Sequence, residues 1–302
     1  MIEVHRTTKA YGPIHAVDGV DLSIGAGELF GLIGHNGAGK STLFKLMLGL
    51  VPANSGEIRI EGQPVRGAGF RQVRRRLGYL PENIVLYDNL TGLETLQFFA
   101  RLKGAPSASC AGLLTRVGLG QASQRRVRTY SKGMRQRLGF AQALLGAPRL
   151  LFLDEPTNGL DPEGIREFYQ ILREMQDDGV TIVLTSHILS EIQQRVDRLA
   201  VMRNGKIQAV GSVQTLRQAA DLPLYFELTL ADGAEPALQQ ALAGLTLDPI
   251  QFAPHRATLR CARAGKMALL AAVTSLGEQV LDLHITEPSL EDVFLGYSGG
   301  AA

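Results

Sequence analysis

Cysteine is scarce. Cys110 and Cys261 are the only two in 302 residues, and neither stands at metal-ligand spacing from another thiol. That pattern gives no disulfide framework and no thiolate zinc site, and it fits a chain kept in a reducing compartment. An excess of one charge is also lacking. Thirty-one basic residues face 29 acidic ones, for a formal net charge of +2. Nucleic acid and anionic lipid are therefore not expected as the main partner, because both select strongly basic surfaces. The one basic run, Arg71 to Arg76, is short and reads as a solvated helix face. Long apolar stretches are missing too. No window approaches the roughly 18 uninterrupted apolar residues of a membrane span. The first residues, Met1-Ile2-Glu3-Val4-His5-Arg6, have no apolar core of signal-peptide length. A transport role would thus have to borrow a membrane partner. There is no internal repeat and no second copy of the glycine loop described below.

The chain does have ample core-forming material, with 45% hydrophobic residues. Ile2 to Val4 and Val20 to Ile24 alternate like strands. Glu28 to Ile33 is a short apolar strand that runs into a glycine-rich turn and then a helical pattern over Ser41 to Leu50. Strand, glycine loop and helix in that order predict a phosphate-binding α/β core. Leu150 to Leu153 and Val180 to Thr185 are continuous apolar runs, as in strands buried on both faces. From Pro81 to Gly146 the period is helical, broken at Gly104 to Pro106, which predicts a helical insert. The Pro and Gly spacing over Gly211 to Pro223 marks a boundary. Beyond it come a strand (Leu224 to Leu230), a helix (Glu235 to Ala243), two strands (Leu247 to Phe252 and Ala257 to Cys261), a helix (Met267 to Leu276) and a strand (Val280 to Ile285). That βαββαβ order predicts a small α+β domain of ferredoxin-like topology. The expected division is 1–218 for the core and 222–298 for the C-terminal module.

The chemistry sits in three places. Gly34-His35-Asn36-Gly37-Ala38-Gly39-Lys40-Ser41 fits G-x-x-x-x-G-K-[ST]. Its glycines let backbone N–H groups point at phosphate oxygens, and the helix that follows presents its positive end to the same anion. Lys40 is placed to reach the β- and γ-phosphates and Ser41 to bind Mg²⁺. Asp154 and Glu155 end the apolar strand Leu150 to Leu153. The first suits a water of the Mg²⁺ shell, and the second suits the general base for an attacking water. His187 follows the strand Val180 to Leu184 and is expected at the same crevice, where strand ends of an open parallel sheet converge. Ser131, in Tyr130 to Gln136, reads by itself as a helix cap.

Taken together, these segments resemble the ATPase subunits of ABC transporters over about the first 216 residues. The resemblance implies a P-loop ABC ATPase domain that binds ATP and Mg²⁺. It implies that Tyr11 stacks on adenine and that Gly34 to Thr42 is the Walker A loop, so that His35, Asn36, Gly37, Ala38, Gly39, Lys40, Ser41 and Thr42 touch nucleotide. Leu150 to Glu155 resembles Walker B, Gly159-Leu160-Asp161 the D-loop, and His187 the switch histidine. Ser131 to Met134 resembles the signature loop, which in this family binds the γ-phosphate held by the opposite subunit. The family usually reads L-S-G-G-Q there; this chain reads Tyr130-Ser131-Lys132-Gly133-Met134 and keeps the serine and second glycine, Ser131 and Gly133. Glu82 stands where the family commonly has glutamine, and a carboxylate there is expected to ligate Mg²⁺.

Divided sites of this kind imply that two copies close face to face. The family also implies multi-span permease subunits as partners and a peripheral position on the cytoplasmic face of the cell membrane. The permease would feel closure through the insert near Glu82 to Arg101. Glu287-Pro288-Ser289-Leu290-Glu291-Asp292-Val293-Phe294 resembles the ending of ATPases that serve ABC-2-type membrane subunits. Within that group, Gly34 to Gly37, Leu77 to Asn83 and Thr129 to Leu138 are most similar to the ATPases of Nos transporters, which support copper-site maturation of nitrous oxide reductase. That implies a periplasmic accessory protein reached through the complex. An exporter of drug, lipid or polysaccharide is the alternative. A soluble ABC protein of ribosomes or chromosomes is the alternative of another class. Against it, the chain has one ATPase half, and no long heptad pattern lies between Lys40 and Asp154. A binding module without hydrolysis is opposed by the presence of Glu155 and His187.

Overall fold

The computed structural model describes residues 1–187, 192–219, 223–245 and 248–287. Two compact units divide at Ser212/Val213. That lies six residues before the expected end of the core, so the helix Val213–Ala219 groups with the second unit.

The first unit holds two sheets. One is antiparallel, in the order β2-β1-β4-β5, from β1 (Ile2–Tyr11), β2 (Ile14–Ile24), β4 (Ser55–Ile60) and β5 (Gln63–Pro64). The other has six strands in the order β10-β9-β3-β8-β7-β6, from β3 (Leu29–Ile33), β6 (Leu77–Leu80), β7 (Leu150–Leu153), β8 (Thr181–Ser186), β9 (Arg198–Arg203) and β10 (Lys206–Gly211). All its pairs are parallel except β9 with β10. Every residue of β3, β7 and β8 is buried. This is why their sequences read as near-continuous apolar runs and not as alternations.

Helix α1 (Lys40–Met47) follows the glycine loop. It ends three residues short of the expected Leu50, where Gly49 adopts φ +66° and the chain turns away. The basic run forms α2 (Phe70–Arg75), and Arg71, Arg74, Arg75 and Arg76 are exposed as expected. The predicted insert comprises α3 (Gly92–Lys103), α4 (Cys110–Arg116) and α5 (Lys132–Leu144). Thr91 and Glu94 form a capping box at the start of α3, and Gly104, at φ +73°, ends it at the predicted break. Helix α6 (Pro162–Asp177) starts with the Asp161 side chain accepting from the Gly164 N–H at 2.9 Å, and with proline in its first turn.

The second unit contains α7 (Val213–Ala219), β11 (Leu224–Leu230), α8 (Glu235–Leu242), β12 (Gln251–Ala253), β13 (Arg256–Cys261), α9 (Lys266–Thr274) and β14 (Val280–Thr286). Its sheet is antiparallel in the order β12-β13-β11-β14, the ferredoxin-like arrangement that the βαββαβ order predicts. The second strand is shorter than expected. It begins at Gln251, after Pro249, which cannot donate to a ladder, and Leu247 lies outside the described residues. Leu224, Phe226, Leu228 and Leu230 alternate inward onto Leu238, Leu242, Leu269 and Val273 of the two helices. Of the tail segment Glu287 to Phe294, only Glu287 is among the described residues; 288–294 lie outside them.

Candidate functional site: a phosphate-loop cleft

Four parallel strands deliver the chemistry to one end of the sheet. In the order β3-β8-β7-β6, their carboxyl ends lead into the glycine loop, His187, the pair Asp154 and Glu155, and Glu82. Register aligns them, with Ile33 opposite Ser186, Leu153 opposite Leu184 and Leu80 opposite Leu153. The crevice above such strand ends is where open α/β sheets bind ligands. Here it is a cleft of about 650 Å³, lined by Ile14, His15, Ala16, Asn36 to Thr42, Glu82, Glu155, His187 and Asn204. That volume accommodates a nucleotide-sized ligand.

The glycine loop is built for an anion. Gly37 and Gly39 take φ +84° and +104°, conformations that side chains resist. A Cβ on Gly39 would overlap the Ala16 carbonyl, so the loop can pass close to β2 only as glycine. Helix α1 has no side-chain cap and no acidic residue in its first turn. Its leading N–H groups and its positive dipole end therefore suit a bound phosphate. The buried Lys40 ammonium donates to the Gly34 carbonyl at 2.6 Å and to that of His35 at 3.3 Å, and it lies 3.9 Å from Glu155 Oε1. Burial pulls its pKa below the ordinary lysine value, and the charges of Glu155, Asp154 and Glu82 oppose that pull.

The carboxylates form one hydrogen-bonded set. Thr185 Oγ1 donates to Asp154 Oδ1 at 2.7 Å and accepts from the Glu155 N–H at 2.9 Å. Ser41 Oγ lies 3.4 Å from the same Asp154 oxygen. His187 Nδ1 meets Glu155 Oε2 at 2.7 Å, with the Glu155 side chain buried and the imidazole half-exposed. Glu155 itself has φ +49°, a strained value for a residue with a Cβ. Tyr79 of β6, above which Glu82 lies, has its phenol pKa pushed up to about 12 by burial and then by Asp154 and Glu82. Among the described residues, no three His, Cys, Asp or Glu side chains group as a metal cage. Ser41, Asp154 and Glu82 offer hard oxygens only, a partial set that suits Mg²⁺ completing its shell with phosphates and water.

Tyr11 does not line the cleft; it stands half-exposed at the end of β1 with Lys9 Nζ 5.0 Å above its ring. Ile14, His15 and Ala16, just past the turn, line it instead. Sequence reasoning missed these three and Asn204, because nothing in their types marks them; they arrive through β2 and the β9–β10 turn. Ser131, Gly133 and Asp161 also lie outside the cleft lining. Ser131 caps α5, accepting from the Met134 N–H at 3.2 Å. A Cβ on Gly133 would lie 2.8 Å from the Gly159 carbonyl, and the aliphatic stem of Lys132 packs on Gly159. The 131–134 and 159–161 segments thus pack against each other outside the cleft lining.

Comparison with known proteins agrees with this geometry. The ABC transporter family profile matches residues 17–158. The chain is 31% identical to the linearmycin resistance ATP-binding protein LnrL of Bacillus subtilis, over 99% of this chain and 98% of that protein. It is 35% identical to the daunorubicin/doxorubicin resistance ATP-binding protein DrrA of Streptomyces peucetius, over 100% and 93%. Among solved structures, the ATP-binding subunit of an ABC transporter superimposes with a TM-score of 0.67 at 32% identity, over 72% of this chain and 92% of that one. A dimeric bacterial ABC transporter cassette gives 0.66 at 25% identity, over 70% and 99%. The phosphate loop, the paired carboxylates and this similarity along the whole chain lead to one conclusion: the protein belongs to the ATP-hydrolysing, ATP-binding subunits of ABC transporters.

Proposed function

We propose that two copies of this chain close on ATP to drive an ABC-2-type membrane transporter, and that hydrolysis reopens them. The observation that carries this reading is the contact of His187 with Glu155 beside Lys40 and the phosphate loop. Glu155 acts as general base toward the attacking water, and His187 orients it. Lys40 and the α1 N–H groups hold the β- and γ-phosphates, with Ser41, Asp154 and Glu82 as the oxygen ligands for Mg²⁺. His35 to Thr42 cradle the phosphates. Ser131 and Gly133 serve the γ-phosphate of the opposite copy, beside Asp161. That sharing accounts for a 131–134 segment outside the lining of its own chain's cleft, and a similar cassette is known as a dimer.

Membrane subunits complete a transporter of this kind; among the described residues, no helix is long and apolar enough to cross a bilayer. The chain would then sit on the cytoplasmic face of the membrane. The finer reading is that the complex serves copper-site maturation of nitrous oxide reductase, together with a periplasmic accessory protein. It is supported by the sequences Gly34 to Gly37, Leu77 to Asn83 and Thr129 to Leu138. Export of a toxic peptide or drug is the second reading, favoured by the resistance relatives and by a bacitracin transport ATP-binding protein 34% identical over 99% of this chain.

Glu155→Gln tests the mechanism. It should cut steady-state hydrolysis by about 10²- to 10⁴-fold with ATP binding retained, since only the base is lost. Turnover within twofold of the parent defeats the assignment. Deleting the gene separates the cargos. Copper-poor nitrous oxide reductase supports the maturation reading, and new sensitivity to antibiotic peptides or anthracyclines supports export.

A further inference from the structure

We infer that Thr185 is a positioning residue for hydrolysis, its hydroxyl setting the two carboxylates Asp154 and Glu155 relative to each other. The inference deepens the reading of Glu155 as base. Thr185 lies near the end of β8, next to β7 in the sheet, and is fully buried. The register that pairs Leu153 with Leu184 brings Thr185 beside Asp154 and Glu155.

The direction of its two bonds is unambiguous. An ionised carboxylate can only accept, and a backbone N–H can only donate. The single hydroxyl proton therefore goes to Asp154 Oδ1, at 2.7 Å, and a lone pair takes the Glu155 N–H, at 2.9 Å. No water is needed to complete the pair, and a fully buried hydroxyl has no competing solvent. Glu155 needs such a hold. At φ +49° its backbone is in a region that persists only where the surroundings fix it. The chain of bonds extends further, because Ser41 Oγ of the phosphate loop lies 3.4 Å from the same Asp154 oxygen. Phosphate loop, metal-type carboxylate, threonine and base backbone are thus linked in series. A displacement of Asp154 is passed through Thr185 to the peptide that carries Glu155.

Shape and chemistry can be separated. Thr185→Val keeps the volume and removes both bonds, and Thr185→Ser keeps the hydroxyl and removes a methyl. In the full-length protein, Thr185→Val should lower kcat by roughly 10- to 100-fold, the effect of one oriented hydrogen bond to a charged group. Thr185→Ser should stay within about threefold. Two measurements without hydrolysis accompany this. Deuterium uptake over 151–158, without nucleotide or Mg²⁺, should quicken in the valine variant and not in the serine variant. The Mg²⁺ concentration for half-maximal thermal stabilisation by ATP should rise in the valine variant alone. Valine within twofold of the parent, or serine as slow as valine, overturns the proposal. If the valine variant does not fold, Thr185→Ala against Thr185→Ser decides on the same criteria. Glu155→Gln at parental turnover would sink the base reading instead, and the deuterium comparison would still score the hydroxyl clamp.

Discussion

Gly78 of β6 touches the Ala143 carbonyl of α5 backbone to backbone, and a Cβ on Gly78 would overlap that oxygen. Because the obstacle is main chain, it cannot turn aside as a flexible side chain could. The contact fixes α5, which Ser131 caps, against the strand that leads to Glu82. Gly78→Ala should therefore destabilise the first unit by about 2–3 kcal/mol, an overpacking cost that outweighs any gain from a less flexible unfolded chain. Urea unfolding of the two proteins measures it, and an unchanged midpoint contradicts the contact.

A second tie between the same regions is weaker. Arg135 Nη2 lies 2.8 Å from Asp88 Oδ1, in the segment that joins β6 to α3. Two-thirds of the Asp88 side chain is exposed, so the pair is worth at most ~1 kcal/mol. Asp88→Asn should lower stability by less than that, and increasing salt should erase the difference. A loss above about 2 kcal/mol would mean that the pair does more than its exposure allows.

Glu82 lines the cleft, and its charge is felt at both Lys40 and Tyr79. Glutamine keeps one oxygen for a metal but removes the negative charge beside the phosphates. Glu82→Gln should therefore keep at least a third of the ATPase activity, and it should need more Mg²⁺ for half-maximal rate, because a neutral oxygen is a poorer ligand. Glu82→Ala should be impaired well beyond Glu82→Gln. Equal activity of all three proteins at every Mg²⁺ concentration would place Glu82 outside the metal shell.

Lys103, the last residue of α3, donates its ammonium to the Leu77 carbonyl at 2.9 Å and to that of Leu145 at 2.6 Å. Burial lowers its pKa to about 8. Between that value and the ordinary lysine value near 10.4, the unfolded chain holds the proton and the folded chain has released it. Stability then rises with pH across this window, by at most about 1.4 kcal/mol per pH unit. Below pH 8 both states are protonated and the slope disappears. The measurement is the stability of the parent minus that of Lys103→Met at pH 7, 8, 9 and 10. The difference should be flat to 8 and then grow in favour of the parent. A difference that shrinks above pH 8 reverses the sign and refutes the shift.

What the sequence disclosed, it disclosed through pattern and punctuation. β3, β7 and the Ile182 to Leu184 stretch of β8 were visible because burial on both faces leaves near-continuous apolar runs. The Asp154, Glu155 and His187 cluster was legible because strand ends of a parallel sheet share one crevice. The ferredoxin-like topology followed from the βαββαβ order of elements, whose first strand, β11, alternates cleanly. β1 and β2, at 10 and 11 residues, were read only over Ile2 to Val4 and Val20 to Ile24, because register shifts along both break the period-2 pattern. Thr185 was hidden for a different reason. It looks like any β-branched strand residue until the register sets it beside Asp154. Ile14 to Ala16 line the cleft past the turn at Gly12, and nothing in their residue types marks them for that place.

The C-terminal unit carries the last prediction. Its buried cluster runs from Leu224 to Val273, and the large cluster of the first unit ends at Met202, so each is built from its own residues. Removing residues 223–302 should accordingly leave the phosphate-loop unit folded and able to bind ATP. One face of the ferredoxin-like sheet is covered by α8 and α9. The opposite face presents Tyr225 and Glu227 from β11, Arg256 and Arg260 from β13, and Asp282 and His284 from β14. Arg256 holds Glu227 of the neighbouring strand at 2.6 Å, and Asp282 lies two strands away; we propose that a second copy seats on this face, with β13 of one copy opposite β14 of the other. A unit that holds its twin keeps the two ATPase halves at high effective concentration after ATP leaves, and closure no longer waits for diffusion. Without it, nucleotide-free dimerisation should weaken by at least tenfold in light scattering. ATPase activity per chain should become steeply dependent on protein concentration, while ATP affinity of the monomer stays within twofold. Arg256→Glu should reproduce part of the loss in the full chain, and Arg256→Glu with Asp282→Arg should restore it. Dimer affinity that does not change on truncation defeats the tether.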